Sequence, residues 1–420
     1  MSELGRIGFV ATRLAGTDGV SLETEKWSRI LTDLGYACFR FAGAFDPPSE
    51  RSVTVPEAHF LHPEILALNQ ALLGQERRSQ EVSGRVETLK NHLKTELRSY
   101  LSQFGLDLLI VENALSLPLN IPLGLALTEL IAETGIPTIA HHHDFAWERA
   151  RFGLHAAGDY LRTAFPPTLP SIHHVVINSF AARRLAYRTG AGAVLIPNVM
   201  DFDAPPPPPD GYADGFRADF GLGPEDILLL QPSRVIPRKR IELAVELARR
   251  LDRDRCVLLI SHAAGDEGSG YELHLQDYAR LMDVRAVFGS EWIGHERDRT
   301  PDGRRIYGLG DAYHQAALVT YPSVIEGFGN AFLETLYYRR PIVISSYEIF
   351  RTDIQPKGFR VIAFDNFISD ETVDHARRVL EDRALVEEMV EHNYGLGRRF
   401  YSFRVLEHHL AALMARCLGT

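Results

Sequence analysis

The sequence predicts an α/β protein with two doubly wound domains, and two observations carry that prediction. Short apolar runs alternate with amphipathic helical patterns through most of the 420 residues, which is typical of parallel sheets covered by helices on both faces. The runs also form two successive series. The predicted strands are 6–12, 106–112, 137–141 and 174–178 in the first series, and 227–231, 256–261, 284–288, 318–322 and 341–345 in the second.

The elements of the first domain follow from local patterns. A helix is predicted after the first strand, because apolar residues recur at helical spacing from Trp27 to Leu34, Ser21 is a suitable cap and Gly35 can end the helix. Residues 46–104 are more polar, and they are predicted to be a helical insertion whose clearest pieces are 67–73 and 86–101.

The domain boundary is predicted within residues 197–216. The proline run 205–209 can neither continue a helix nor pair inside a sheet, so it indicates a semi-rigid spacer. The predicted domains are therefore 1–200 and 217–400. The charged, glycine-containing stretch 295–310 is predicted to be a loop insertion in the second domain.

Composition excludes several classes of protein. The formal net charge of -10 gives no overall attraction to nucleic acid or to anionic membranes. Cys38, Cys256 and Cys417 share no metal-ligand or redox spacing. The apolar stretch 115–132 contains two prolines, an asparagine and a glutamate, so no membrane span is predicted, and no signal peptide is recognisable. These features favour a cytoplasmic location and leave a homo-oligomer open.

The most informative motif begins at Tyr321. An apolar strand leads into a loop with two glycines and then into a predicted helix, whose free N–H groups and positive dipole end would suit a phosphate. Glu326 precedes the glycines and Glu334 follows eight positions later. Carboxylates accept hydrogen bonds from hydroxyls, so a sugar and a ribose are plausible partners. The alternative is an ordinary turn with solvated acids.

A second motif follows the predicted strand 227–231. Arg234 and Lys239 lie on either side of a turn broken by Pro237, and two cations at a strand end can take up the charge of a departing diphosphate. The alternative is a basic surface turn. Arg238 and Arg240 are predicted to be surface residues.

A third motif, His141-His142-His143-Asp144, ends another predicted strand. A metal site is one interpretation, but successive residues on a strand alternate faces and cannot all ligate one ion. We instead expect one histidine to face the ligand with Asp144 as its neighbour, able to bond a sugar hydroxyl or exchange a proton. No metal is predicted.

Weaker signals lie at other strand ends. Residues 17–21 form a glycine-containing loop before the first helix, with Gly19 at its centre. Glu112 and Asn113 lie at the end of the strand predicted at 106–112 and are expected to face the same cleft. Asn178-Ser179 and Pro197-Asn198 end later strands; each of these signals is also compatible with a cap or a turn.

Taken together, these features resemble the retaining, nucleotide-sugar-dependent glycosyltransferases of family 4. The Glu326-to-Glu334 motif, the Arg234/Lys239 pair and the two later strand ends follow the order found in that family, and the resemblance covers nearly the whole chain. It implies the GT-B fold, in which two Rossmann-like domains face a central cleft. It also implies that the last helix, within 401–420, crosses back to the N-terminal domain.

The resemblance implies roles for residues of the second domain. Glu326 would contact hydroxyls of the donor sugar, and Glu334 would bind the ribose. Backbone N–H groups around Phe328, Gly329 and Asn330 would hold the diphosphate.

Further roles concern the charge of the leaving group and the reacting sugar. Arg234 and Lys239 would neutralise the departing nucleoside diphosphate, and Gly19 would line the phosphate and acceptor side. His143, with Asp144 beside it, would lie near the reacting sugar.

The function implied is transfer of a hexose, with retention, from a UDP-, GDP- or ADP-sugar to a small soluble acceptor such as a sugar, sugar phosphate or glycerate derivative. No cofactor and no metal are expected. Glu112, Asn113 and Arg149 are the candidate acceptor-binding residues, and Arg149 would suit an anion. The loop Asp18-Gly19-Val20 lacks the consecutive glycines of many relatives, and together with the insertion this leaves the acceptor open.

Three alternatives remain open at this point. The acceptor could be lipid-linked or a polysaccharide at a membrane. The chain could instead be a GT-B phosphorylase or nucleotide-sugar isomerase. A non-enzymatic sugar- or nucleotide-binding regulator is the third alternative, which the presence of both motif carboxylates and both cations disfavours.

Overall fold

The computed structural model describes residues 4–16, 19–45, 49–264, 268, 270–294 and 296–419. The chain divides into two compact units. The N-terminal unit comprises Met1–Asn198 together with Phe403–Thr420, and the C-terminal unit comprises Val199–Ser402. None of the described helices is long and apolar enough to cross a lipid bilayer.

The N-terminal unit contains a seven-stranded sheet and seven helices within the described residues. In chain order its elements are β1 (Arg6–Val10), α1 (Gly19–Asp33), β2 (Ala37–Ala42), β3 (Ser52–Thr54), α2 (Pro63–Leu72), α3 (Gln80–Phe104), β4 (Leu108–Glu112), α4 (Ile121–Thr134), β5 (Thr138–His142), α5 (Gly158–Ala164), β6 (Ile172–Val176), α6 (Ser179–Thr189), β7 (Ala193–Leu195) and the C-terminal helix, called α14 because it is the last of the chain (Phe403–Leu418).

The strands of this sheet are all parallel and lie in the order β3-β2-β1-β4-β5-β6-β7. The central strands β4 and β5 are buried along their whole length, as expected for a sheet with helices on both faces. Their carboxyl ends carry Glu112 and His142, so the following loops emerge side by side at one edge of the sheet.

Residues 49–104 differ in part from the predicted helical insertion. They include β3, a three-residue edge strand that pairs with β2 and is too short to give a sequence pattern. The long helix α3 is an integral layer of the unit, because Leu93, Leu97 and Tyr100 share a core with Leu123 and Leu127 of α4. Residues 46–48 lie outside the described part of the chain.

Two helices of the unit differ from or extend the local prediction. Helix α1 begins at Gly19, so Ser21 lies inside its first turn and does not cap it. Helix α14 packs against α1, and the guanidinium of Arg29 lies 5.4 Å from the ring centre of Phe403. The C-terminal segment is therefore part of the N-terminal unit.

The C-terminal unit repeats the α/β pattern. Its elements are α7 (Phe216–Asp219), β8 (Ile227–Gln231), α8 (Glu242–Asp252), β9 (Cys256–Ile260), α9 (Gly270–Leu281), β10 (Arg285–Phe288), β11 (Ile293–Gly294), β12 (Asp298–Arg299), β13 (Arg305–Gly308), α10 (Leu309–Gln315), β14 (Leu318–Tyr321), α11 (Asn330–Tyr337), β15 (Ile342–Ser345), β16 (Ile362–Phe364), α12 (Asp370–Glu381) and α13 (Arg383–Tyr401).

Six of these strands form a parallel sheet in the order β10-β9-β8-β14-β15-β16. The order reverses between β8 and β14, and such a switch point is where open α/β sheets bind ligands. The loops after β8 and β14, which carry the two predicted motifs of this unit, therefore lie side by side.

One prediction for this unit needs correction. The stretch predicted as a loop at 295–310 contains β12 and β13 within its described part, and these form a small sheet with β11; residue 295 lies outside that part. The proline run 205–209, predicted to be a semi-rigid spacer, contacts its own unit, because the ring of His314 lies 2.8 Å from the carbonyl oxygen of Pro207. An extended proline segment leaves its carbonyls available for such a bond.

Asn120 ties the edge of the N-terminal sheet to α4. Its side chain is buried, and its Oδ1 atom accepts a hydrogen bond of 3.0 Å from the backbone N–H of Leu123, which caps the helix. Its Nδ2 group donates to the carbonyl oxygens of Glu57 and Ala58 at 2.8 and 3.0 Å.

We expect Asn120→Ala to lower the free energy of unfolding of the N-terminal unit by about 2–4 kcal/mol, because it removes a cap and leaves buried carbonyls without donors. Urea denaturation would measure the change. Asn91→Ala, which alters an exposed position of α3, is the control and should change stability by less than about 0.5 kcal/mol. Equal effects of the two substitutions would contradict the role of Asn120.

Candidate functional site

The loop between β14 and α11 has the geometry of an anion-binding turn. Gly329 precedes the first helical residue, Asn330, and has a φ of 110°, which favours glycine. A Cβ atom at Gly329 would lie 2.7 Å from the hydroxyl oxygen of Tyr347, and that hydroxyl donates a 2.8 Å hydrogen bond to the carbonyl of Phe328. The start of α11 is thus fixed in position at the end of this loop.

Glu326, in the same loop, is paired with cations from the loop after β8. Lys239 donates a short hydrogen bond to its Oε1 atom, and Arg238 lies 3.3 Å from its Oε2 atom. Arg238 also donates to the carbonyl of Ile325 at 2.9 Å. The structure therefore brings the two predicted motifs together. It also corrects the prediction for Arg238, which is a half-buried partner of Glu326 and not a surface residue.

The electrostatics of this cluster follow from burial and from the cations. Burial alone would raise the pKa of Glu326, but Lys239 and Arg238 more than offset it and hold the pKa at about 2. Burial lowers the pKa of Lys239, and the positive charges of Arg238 and Arg234 add to this, while Glu326 opposes it. The Lys239 ammonium also lies 5.1 Å from the ring centre of Tyr321.

His262 joins this cluster and was missed in the sequence. It follows β9, and its Nδ1 atom lies 2.7 Å from the hydroxyl of Ser261. Burial lowers its pKa to about 4, with further lowering by the charges of Lys239 and Arg234. Arg234 itself is exposed. A lone histidine after an apolar strand has no distinctive pattern, so only its position at the end of a neighbouring strand could have indicated it.

Glu334 lies farther along α11 and has a different partner. The buried hydroxyl of Tyr313 donates a 2.9 Å hydrogen bond to its Oε2 atom. The Tyr313 ring stacks on Tyr338 with centres 4.9 Å apart, so the donor is held rigidly. Burial and the charge of Glu334 raise the pKa of Tyr313, which keeps the hydroxyl protonated.

The N-terminal unit gathers a second polar cluster at the ends of β4 and β5. Glu112 is 1% exposed. The Nδ1 atom of His141 lies 2.9 Å from its Oε2 atom, and the Nε2 atom of His143 lies 3.0 Å from the same oxygen. His142 faces the other side of the sheet, where its ring nitrogen lies 2.9 Å from that of His174. The alternation is that of a strand.

The partners of His143 and Asp144 differ from the prediction. The ring of His143 bonds Glu112, whereas Asp144 pairs with Arg149 at 2.7 Å. Asn113 adopts a left-handed φ of 57° and accepts a 2.8 Å hydrogen bond from the backbone N–H of His143. Glu112 and Asn113, the candidate acceptor-binding residues, therefore orient the histidine segment. The sequence did not indicate these contacts, because they join the ends of two different strands.

Burial and charge oppose each other in this cluster. Burial would raise the pKa of Glu112, but the two histidines hold it at about 2. Burial lowers the pKa of His141 and outweighs the charge of Glu112. For His143 the hydrogen bond and charge of Glu112 outweigh burial, and the pKa is raised.

The same three side chains are also candidate metal ligands. Glu112, His141 and His143 offer one ligand atom each within 4.8 Å of one another, a set that suits zinc or iron. Both histidine nitrogens, however, already lie at hydrogen-bond distance from the carboxylate. The three side chains are thus already joined to one another by hydrogen bonds.

The remaining predicted residues occupy helix ends. Gly19 is exposed and is the first residue of α1, while Thr17 and Asp18 lie outside the described residues. Asn178 caps α6 through a 2.7 Å hydrogen bond from the backbone N–H of Ala181, so a structural role accounts for its position.

We expect Gly329→Ala to lower the stability of the C-terminal unit by about 2–4 kcal/mol, because an alanine would be strained at this φ and would collide with the Tyr347 hydroxyl. Thermal unfolding would measure the change. Gly395→Ala is the matched control, since Gly395 lies inside α13 with open space around its Cβ position; it should be neutral or slightly stabilising. An unchanged melting temperature for Gly329→Ala would contradict the strained turn.

Comparison with known proteins identifies relatives over nearly the full length. The chain is 31% identical to mannosylglucosylglycerate synthase from Thermotoga maritima, over 97% of this chain and 99% of the relative. It is 30% identical to the enzyme of the same name from Petrotoga mobilis, over 85% of this chain and 86% of the relative. No protein-family model matches the chain.

Solved structures share the fold at low sequence identity. Sucrose-phosphate synthase from Thermosynechococcus elongatus superposes with a TM-score of 0.68 at 16% identity, over 99% of each chain. A glycosyltransferase from Rickettsia africae also gives 0.68, at 10% identity, over 100% of this chain and 99% of the other. The fold is therefore GT-B, as the sequence predicted. On the identity to its full-length relatives, the chain belongs to the family of GT-B glycosyltransferases that includes mannosylglucosylglycerate synthase, and it is a hexosyltransferase.

Proposed function

We propose that the protein transfers a mannosyl group from a nucleoside-diphosphate sugar to glucosylglycerate, with retention of anomeric configuration as in family 4. The sugar and acceptor are inferred from the name shared by both full-length relatives. The single observation that carries the donor half of the proposal is the pairing of Glu326 with Lys239 beside the glycine turn that opens α11.

Departure of the nucleoside diphosphate builds negative charge, and the cluster offers several groups to take it up. Lys239 and Arg234 supply positive charge, and the N–H groups at Phe328, Gly329 and Asn330 supply hydrogen bonds. Because Lys239 is held charged against Glu326 before the donor binds, little reorganisation is needed when a phosphate replaces the carboxylate as its partner. These groups take the place of a divalent cation, so we propose that transfer needs no metal or other cofactor.

The carboxylates would hold the neutral parts of the donor. Glu326, ionised because its pKa is about 2, can accept hydrogen bonds from sugar hydroxyls. Glu334, whose Oε2 atom accepts a hydrogen bond from Tyr313, would bind the ribose. We propose that Gly19, at the start of α1, leaves room for the phosphate and acceptor side.

On the N-terminal unit we propose that His143 contacts the reacting sugar, with Asp144 beside it in the chain. Arg149 is the residue proposed to bind the acceptor carboxylate, since its positively charged guanidinium is half-exposed beside Asp144. Glu112 and Asn113 contribute to this site by bonding the ring and the backbone N–H of His143. We also propose a reducing, cytoplasmic location, because the three cysteines are unpaired.

The proposed function is tested by product analysis. The purified protein would be incubated with UDP-, GDP- and ADP-mannose, each with glucosylglycerate, with and without EDTA, and the product would be identified by mass spectrometry and by NMR of the anomeric centre. We expect one nucleotide to support transfer with α-configuration retained and no loss in EDTA. Release of sugar 1-phosphate without nucleotide would favour a phosphorylase, and activity only with lipid-linked acceptors in liposomes would favour a membrane acceptor; either contradicts the proposal.

We expect Lys239→Ala to lower kcat by about 10²–10³-fold at saturating donor, because a charge that stabilises the leaving group is lost. Steady-state kinetics would measure this. Lys357→Ala is the matched control, since Lys357 is a half-buried lysine of the same unit that lies against Phe400 and Tyr401; its kcat should stay within about twofold of wild type. Full activity of Lys239→Ala would contradict the assignment of the phosphate site.

A further inference from the structure

His143 is held at two points, and both lie in the N-terminal unit. Its backbone N–H donates to Asn113 at 2.8 Å, and its Nε2 atom lies 3.0 Å from Glu112. A histidine ring has two nitrogens with different partners. With Nε2 occupied by a buried carboxylate, Nδ1 is the nitrogen left for a ligand.

The hydrogen bonds of His141 limit the charge that it can carry beside Glu112. His141 donates from Nδ1 to Glu112, its Nε2 atom is buried without a hydrogen-bond partner among the described residues, and its ring stacks on Trp27 at 4.2 Å. A second proton on His141 would have no acceptor, so His141 is neutral. Glu112 then keeps one negative charge, and His143 is the group positioned to balance it.

Other titratable groups around His143 act in the same direction. Glu23 of α1 and Asp144 both favour its charged form, whereas burial disfavours it. Glu23 is itself neutralised in part by Lys26, whose ammonium lies 2.6 Å away, and Asp144 by Arg149. The hydrogen-bonded carboxylate of Glu112 is therefore the dominant partner.

We propose that Glu112 is the positioning residue for His143: its carboxylate accepts the Nε2 hydrogen, fixes the plane of the ring and leaves Nδ1 as the nitrogen that meets the transferred sugar. This inference rests on the proposed role of His143. Glu112 touches no substrate in this account. It acts by selecting the tautomer and by orienting the ring, as carboxylates do for histidines in other sites.

The first test is the tautomer of His143 in the full-length protein. With ¹⁵N-labelled histidine, long-range ¹H–¹⁵N spectra distinguish a protonated Nε2 from a protonated Nδ1, and the His143 signals are assigned by their loss in His143→Gln. We expect neutral His143 to carry its proton on Nε2. A proton on Nδ1 would overturn the inference without any change to Glu112, so the test does not depend on the folding of a variant.

The second test is Glu112→Gln, which keeps an oxygen that can accept the Nε2 hydrogen but removes the charge. We expect kcat to fall by about 10–100-fold, with the donor KM within about twofold of wild type. The control is His174→Gln, which alters an equally buried histidine contact that does not touch Glu112, and which should leave kcat within about twofold of wild type.

Three outcomes would separate the alternatives. If His143→Gln loses activity but Glu112→Gln keeps the wild-type kcat, the positioning role is wrong and the proposed function stands. If His143→Gln keeps wild-type kcat, the proposed role of His143 fails. Stoichiometric zinc, iron or manganese in the purified protein, absent from Glu112→Gln, would make the cluster a metal site and overturn the inference.

Discussion

A carboxylate removed from water must be matched by cations or N–H donors, and this constraint organises both candidate sites. Glu326 is matched by Lys239 and Arg238 in the C-terminal unit, and Glu112 by two histidines in the N-terminal unit. An unmatched buried carboxylate would cost several kcal/mol. These contacts hold neighbouring loops together. They therefore fix the positions of the backbone N–H groups before α11 and of the His143 ring.

Parallel sheets make this matching possible, because their strand ends lie together while remaining far apart in the sequence. Glu326 and Lys239 are 87 residues apart but follow the neighbouring strands β14 and β8. Glu112 and His143 are 31 residues apart, but Glu112 ends β4 and His143 directly follows the neighbouring strand β5. The buried strands hold the loops in fixed positions, and the loops carry the side chains that can bind a ligand.

Much of the fold and part of the site follow from the sequence. Short apolar runs such as β4 and β9 alternate with amphipathic helical patterns, so the two-sheet α/β architecture is predictable. Gly329 marks a turn that requires glycine. Partners across strands are not predictable from one sequence, because nothing local to Arg238 indicates that it turns toward Glu326. The pairing of His143 with Glu112 was missed for the same reason, since Asp144 was closer in the chain. The strand β3 is too short to give a pattern.

The clusters around the buried carboxylates Glu326 and Glu112 differ in net charge, and this difference matches the ligand that each cluster is proposed to bind. Around Glu326, the positive charges of Lys239, Arg238 and Arg234 outnumber the single carboxylate, and the same charges keep His262 neutral. Such a surplus is balanced when an anion binds. Around Glu112 one carboxylate faces two histidines, and because burial lowers the pKa of His141 while Glu112 raises only that of His143, this cluster carries no such surplus of positive charge. A cluster without such a surplus attracts no anion, so it can orient a ring toward a neutral sugar without competing for the diphosphate.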